Sequence, residues 1–129
     1  MSTMMTNSTR RVSDHFEPEP GLDPAEQRKL RGHLEQIDYA AYAANRAVVA
    51  QVLGRTELSK FERLAVAAAQ ARTRWVAAAL KMSEGASALS PEQVAELATL
   101  RRGFEELTDA YEAMRRMVER GYLGYQPKA

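Results

Sequence analysis

The chain of 129 residues contains no cysteine. A disulfide framework, a thiolate metal site and a cysteine nucleophile are excluded together, which fits a reducing compartment. Histidine is nearly as scarce, with only His15 and His33. Two are too few for a histidine-rich metal site, and the chain has no Glu-x-x-His pair of the kind that builds metal centres inside helix bundles. The seven glycines are scattered, so no glycine-rich phosphate loop is present. No cofactor or metal is expected. An excess of one charge is missing too: 18 Lys and Arg against 17 Asp and Glu leave a net charge of +1. A sequence-blind nucleic-acid binder usually carries a more basic balance, although a local basic patch fits within a neutral total.

Long apolar runs are also lacking. The opening stretch MSTMMTNSTRRVSDHFEPEPG has no continuous apolar core of the kind a secretory signal needs. The most apolar segment, LAVAAAQARTRWVAAALKM at 64–82, is broken by Gln70, Arg72, Thr73 and Arg74, whose burial in a bilayer would be costly. The expected location is the cytoplasm, or a particle assembled inside the cell. No segment shows two-residue alternation between turn signals, so no strand is expected.

What is present is helical punctuation. Residues 1–22 mix Ser, Thr, Asn, Pro and charge without a period, which predicts a flexible N-terminal arm and a place where a partner could impose order. In DPAE, Asp23 can cap a helix, Pro24 suits its first turn and Glu26 completes a capping box. A helix over about 24–53 follows, ending at Gly54. A second, over about 57–83, starts with Thr56 or Ser59 as cap. The third, over about 91–120, starts with SPEQ, where Ser90 caps, Pro91 stands first and Gln93 third, with Leu89 and Val94 as a hydrophobic staple. It ends at Gly121, with Tyr122 folding back on Met117, and 122–129 forms a short C-terminal tail.

Each helix carries apolar residues at alternating steps of three and four. Leu30, Leu34, Ile37, Ala41, Ala44 and Val48 form the first seam; Phe61, Leu64, Ala68, Ala71, Trp75, Ala78 and Met82 the second; Leu97, Leu100, Phe104, Leu107, Tyr111, Met114 and Val118 the third. Three long helices on short links predict an all-α fold, an antiparallel up-down-up three-helix bundle over 23–121. Hydrophobic residues at 45% and charged residues at 27% are those of a globular chain able to close one such core.

The middle helix has more apolar circumference than one seam accounts for. Val66, Ala69, Val76 and Leu80 make a second stripe around its axis, flanked by Ala65, Ala67, Ala77 and Ala79. Helices one and three together could cover both stripes. The surplus alanine, with Ala40, Ala43, Ala47 and Ala50 on helix one, asks instead for a second chain docked on an alanine-rich wall. Trp75 beside Arg74 is either ordinary core or an interface anchor, and Tyr122, Leu123 and Tyr125 either pack on their own helix end or dock a partner. On the second reading the partner-binding set is Val66, Ala69, Arg72, Trp75, Val76, Leu80, Ala43, Ala47, Tyr122, Leu123 and Tyr125. The chain is then a non-enzymatic adaptor, chaperone or structural subunit of a larger assembly, acting through protein–protein contacts or self-association.

Two other classes compete. Arg10, Arg11, Arg28, Lys29, Arg31, Arg72 and Arg74 could meet nucleic acid, as in a packaging or regulatory factor. The arginines of helix three pair instead with acids four residues away, Arg101 with Glu105, Arg102 with Glu106, Glu112 with Arg116 and Arg115 with Glu119, as on a solvated face. His33 could act as a general base near Glu35 or Asp38, but Glu35 lies two residues on and points elsewhere around the helix, so a lone surface histidine is the better reading. The segment LEQIDYAAYAANRAVVAQVLGR, with Ile37 and Asp38 followed by Arg46, resembles the first helix of chorismate mutases. That resemblance implies a small-molecule enzyme whose cationic side chains clamp a dianion inside a helical bundle. It ends at helix two, which is long and alanine-rich where that family has a short helix with its own charged motif.

Overall fold

The computed structural model describes residues 21, 23–85 and 87–127. The arm expected over 1–22, Gly21 excepted, lies outside them. Three helices form the chain, α1 (Pro24–Leu53), α2 (Leu58–Met82) and α3 (Pro91–Glu119), with two short strands, β1 (Arg55–Glu57) and β2 (Gly124–Gln126). The fold is all-α, as the periodicity predicts. A division of the chain into two units falls within α1, between Met1–Ala43 and Ala44–Ala129. The first unit contributes the opening turns of α1 to the description. The second holds the end of α1, the two strands, α2 and α3.

Local chemistry accounts for most helix ends. The Asp23 carboxylate accepts from the Glu26 amide at 2.8 Å, and the Asp23 amide donates back to Glu26 Oε1 at 3.3 Å. This is the reciprocal box expected at the start of α1. Gly54, at φ 67°, stops that helix in the left-handed region where glycine carries no Cβ penalty. At the start of α3, the Gln93 amide donates to Ser90 Oγ at 3.1 Å and the Ser90 amide to Gln93 Oε1 at 2.9 Å. Past its end, Gly121 at φ 80° lets the Tyr122 amide reach the Met117 carbonyl at 2.9 Å, while the Gly121 amide reaches Val118 at 3.0 Å. These two bonds make a Schellman closure.

The start of α2 departs from expectation. Neither Thr56 nor Ser59 caps it; Glu57 stands at the N-cap with no side-chain bond to the helix. Ser59 Oγ donates to Glu57 Oε2 at 2.9 Å instead. Thr56 is buried in β1, its hydroxyl directed at Met114 Sδ at 3.9 Å. The strands are a second departure. β1 and β2 pair in parallel, Arg55 with Gly124, Thr56 with Tyr125 and Glu57 with Gln126. Three residues are too few to display an alternating pattern, and the pairing is created by the tertiary fold that brings the tail beside the α1–α2 link.

That pairing fixes the sense of the helices. β1 leads into α2 and β2 follows α3, so the start of α2 lies beside the end of α3 and the two helices run antiparallel. Aromatic contacts repeat the statement along the pair, with Phe61 against Tyr111 at 5.6 Å between ring centroids and Trp75 against Phe104 at 6.0 Å. The second and third seams therefore face each other. All their residues are at least half-covered, and Ala71 is buried. Leu123 closes the base at 2% exposure. The end of α1 is tied there as well, Arg46 Nη1 donating to the Gly121 carbonyl at 3.1 Å.

The first seam behaves differently. Leu30, Leu34, Ile37 and Val48 are all exposed, Ile37 to 62%, and no residue of α1 is buried. The period correctly marks an apolar face, but expecting that face to point inward is not met. Spacing records that a face needs cover and carries no information about what supplies it.

Candidate protein-docking surface

The second stripe of α2 is where the expected partner residues remain together. Val66, Ala69, Val76 and Leu80 all lie exposed, Leu80 to 64%. With Thr73 they stand at steps of three, four, three and four, so they follow one line along the helix. The line exists because the other side of α2, through Phe61, Leu64, Ala71 and Trp75, is turned onto α3. Shallow grooves run beside it, one bounded by Glu62, Arg63, Val66 and Gln70, the next by Val66, Ala69, Thr73 and Arg74. Arg63, Arg74 and Lys81 are exposed on its flank and give that side a positive edge.

Other residues of the expected set are engaged within the chain. Leu123 is buried, so it holds the tail in place and offers nothing to a partner. Trp75 stacks on Phe104 with an interplanar angle of 21°, which is its core role. Arg72 lies over the other aromatic of that pair, 6.0 Å from the Phe104 centroid, and Arg101 lies over Trp75 at 5.9 Å. The arrangement is reciprocal: on each helix an arginine three residues before the aromatic reaches across to the aromatic of the opposite helix. Tyr122 is half-covered, while Tyr125, at the edge of exposure, sets its ring 6.2 Å from Phe61. Ala43 and Ala47 are exposed on α1.

The basic residues of the nucleic-acid reading fall in separate parts of the description. Arg10 and Arg11 lie outside the described residues. Arg28, Lys29 and Arg31 are exposed on the first turns of α1, and Arg74 is exposed on α2. On α3, Arg101 Nε donates to Glu105 Oε2 at 3.1 Å across an exposed pair, the first rung of the expected salt-laced face.

A cleft went unforeseen. It measures about 330 Å³ and is lined by Leu58, Phe61, Tyr111, Val118 and Tyr125, with Arg115 and Glu119 also on its wall. The facing positions of Phe61 and Tyr111 were readable in the seams. The contribution of Tyr125 depends on the strand pairing, which was not. Among the described residues, Thr56 is the buried polar side chain, and no group of three or more His, Asp or Glu is placed to hold a metal ion. No helix among them is long and apolar enough to cross a membrane. Compared with protein-family models, with curated proteins and with solved structures, the chain matches none of them.

Proposed function

We propose that the protein is a non-enzymatic docking module of the cytoplasm or of an intracellular assembly, and that it takes an amphipathic helix of a partner protein along the outward stripe of α2. The observation that carries this reading is the exposure of Val66, Ala69, Val76 and Leu80 on a helix whose opposite side is already covered by α3. Helix-in-groove recognition uses anchors at this spacing. The basic flank of Arg63, Arg74 and Lys81 favours a partner helix with an acidic edge, because complementary rims set register and speed encounter. An enzymatic reading would draw on polar groups converging between the helices, and the cleft that holds Tyr111, Arg115 and Glu119 is where it would be sought; the ring contacts between α2 and α3 are aromatic and cation–π.

The test is site-specific photo-crosslinking in the cell that makes the protein, from Val76 or Leu80 and, as control, from Glu106 on the polar face of α3. A single protein adduct is expected from the α2 positions and not from Glu106, and Val76→Glu should remove it while leaving the circular dichroism unchanged. The same adducts from both faces would overturn the reading. Nucleic-acid adducts that vanish with added salt would replace it with the nucleic-acid alternative.

A further inference from the structure

We propose that the cleft between the start of α2, the end of α3 and β2 binds a small quaternary ammonium zwitterion, a trimethylammonium group with an anionic group a few bonds away, as in a betaine or a phosphocholine headgroup. The site shares no residue with the docking stripe of α2 and does not rest on it.

Three rings reach the cleft from three elements, Phe61 from α2, Tyr111 from α3 and Tyr125 from β2. The strand pairing aims the last of them. Residues paired directly across a sheet point to the same face, so Tyr125 follows its partner Thr56, whose hydroxyl is directed at Met114 on α3. Phe61 contacts both tyrosines, with ring centroids 5.6 and 6.2 Å away and planes inclined by 82° and 66°. Parallel rings cover each other's faces, whereas rings at steep angles can turn several faces to one space, which is how a cage for a cation is built. Leu58 and Val118 line the same cleft and keep it apolar. At about 330 Å³ it lies at the small end of ligand sites, so it suits a compact molecule.

Trp75 and Phe104 provide the contrast. Those rings stack at 21°, and the chain supplies its own cations to them, Arg72 over Phe104 and Arg101 over Trp75. Among the described residues, no cation of the chain lies over Phe61, Tyr111 or Tyr125. Their faces are left to a cation from outside.

Charge narrows the ligand further. Arg115 and Glu119 follow Tyr111 by one and two turns along the same side of α3, and both stand exposed on the cleft wall. They are four residues apart, yet among the described residues neither forms an ion pair. A bare cation would meet Arg115 as well as Glu119, and a bare anion would meet the reverse. A zwitterion answers both: its trimethylammonium group lies against the rings and Glu119, and its anionic group meets Arg115. Methylation of the nitrogen matters here. A primary ammonium is strongly hydrated and would lose its water bonds beside Leu58 and Val118, whereas a trimethylammonium has no N–H to leave unsatisfied.

Titration of the full chain with glycine betaine and with phosphocholine, followed by backbone amide NMR, tests the proposal. Saturable shifts are expected around Phe61, Tyr111 and Tyr125 and not at Val76 or Leu80. The anion of tert-butylacetic acid has the shape of glycine betaine with carbon in place of nitrogen, and it should bind at least about tenfold more weakly. Arg115→Gln should weaken glycine betaine about threefold and strengthen tetramethylammonium about twofold, while Glu119→Gln should weaken both. Those two side chains are exposed, so neither variant threatens the fold. Tyr125→Leu should cost both ligands about fivefold. Vesicles of phosphatidylcholine separate the sources: co-sedimentation that Tyr125→Leu abolishes would identify a lipid headgroup, and free zwitterions binding without it a soluble ligand. No response to either zwitterion or to vesicles, equal affinity for the tert-butyl anion, or Arg115→Gln moving glycine betaine and tetramethylammonium in the same direction would each overturn the proposal. Crosslinking from Val76 decides the docking stripe independently, so the two readings fail separately.

Discussion

Helices α1 and α3 are nearly the same length, 30 and 29 residues, and their apolar residues follow the same three-four rhythm. Leu97, Leu100, Phe104, Leu107, Tyr111 and Met114 are at least half-covered, yet Leu30, Leu34, Ile37 and Val48 stay exposed. Rhythm is therefore not what closes a seam. One feature of the α3 seam is absent from that of α1: it contains aromatics, Phe104 and Tyr111, that reach aromatics of α2 across the gap. Both helices end at a left-handed glycine beside the strand pair, but after α3 the turn at Gly121 folds Leu123 inward as a clamp, to 2% exposure. The α1 seam, built of Leu, Ile, Ala and Val, has no ring.

The largest effect that sharpens this contrast is a truncation at the clamp. Leu123 is 2% exposed, and Leu123→Ala should cost about 3 kcal/mol through lost burial and the cavity left behind. Leu34→Ala, in a seam that is open within the chain, should cost less than about 0.5 kcal/mol. Urea denaturation followed by Trp75 fluorescence checks both. Equal losses at the two sites would break the comparison, because they would mean that the α1 seam is covered in the folded protomer.

How much of this was legible in the sequence follows the same line. Helix ends set by neighbouring residues were readable. Asp23 with Glu26, Ser90 with Gln93, Gly54 and Gly121 each act within a few residues of themselves, and each forms the bonds or turn its chemistry implies. Features that depend on distant parts of the chain were not. Thr56 has the character of a cap, but the tail arriving as β2 makes it a buried strand residue. Leu123 has the character of a surface anchor until the Gly121 turn folds it inward. For the candidate site, the outward line of Val66, Ala69, Val76 and Leu80 was visible as a second stripe, since α2 carries more apolar circumference than α3 covers. Trp75 was legible as a seam residue, and its stacking on Phe104 bears that out. Arg72 was not: it falls in the partner-binding set, and only the packing of α2 on α3 lays it over Phe104.

Glycines give the next test, of intermediate size. Gly103 sits inside α3 with nothing within 4 Å of the place a Cβ would take. Gly103→Ala should therefore stabilise the α2–α3 pair by about 1 kcal/mol. Gly121→Ala should destabilise it by about 1–2 kcal/mol, since an L side chain is strained at φ 80°. Opposite signs at two glycines only eighteen positions apart would show that the clamp, rather than helix content in general, keeps α3 in place. The measurement is again the urea midpoint at constant slope.

The smallest effect tests how the helices are matched. Arg72 lies over Phe104 and Arg101 over Trp75, at 6.0 and 5.9 Å from the ring centroids. Each guanidinium sits on an exposed part of the surface, where a cation–π contact contributes about 0.5–1 kcal/mol. Arg101 also pairs with Glu105, an exposed contact that adds little. Arg72→Gln and Arg101→Gln should thus each cost about 0.5 kcal/mol. The informative quantity is the double-mutant cycle of Arg72→Gln with Phe104→Leu, which keeps an apolar side chain against Trp75 while removing the ring. If the arginine acts through the π face, its cost should disappear in the Phe104→Leu background. If it acts only by covering Phe104 with its aliphatic stem, the cost should persist. The α1 seam has no ring to support either outcome, so a positive cycle would identify cross-helix arginine–aromatic reciprocity as one specific contact that the closed seam has and the open seam lacks.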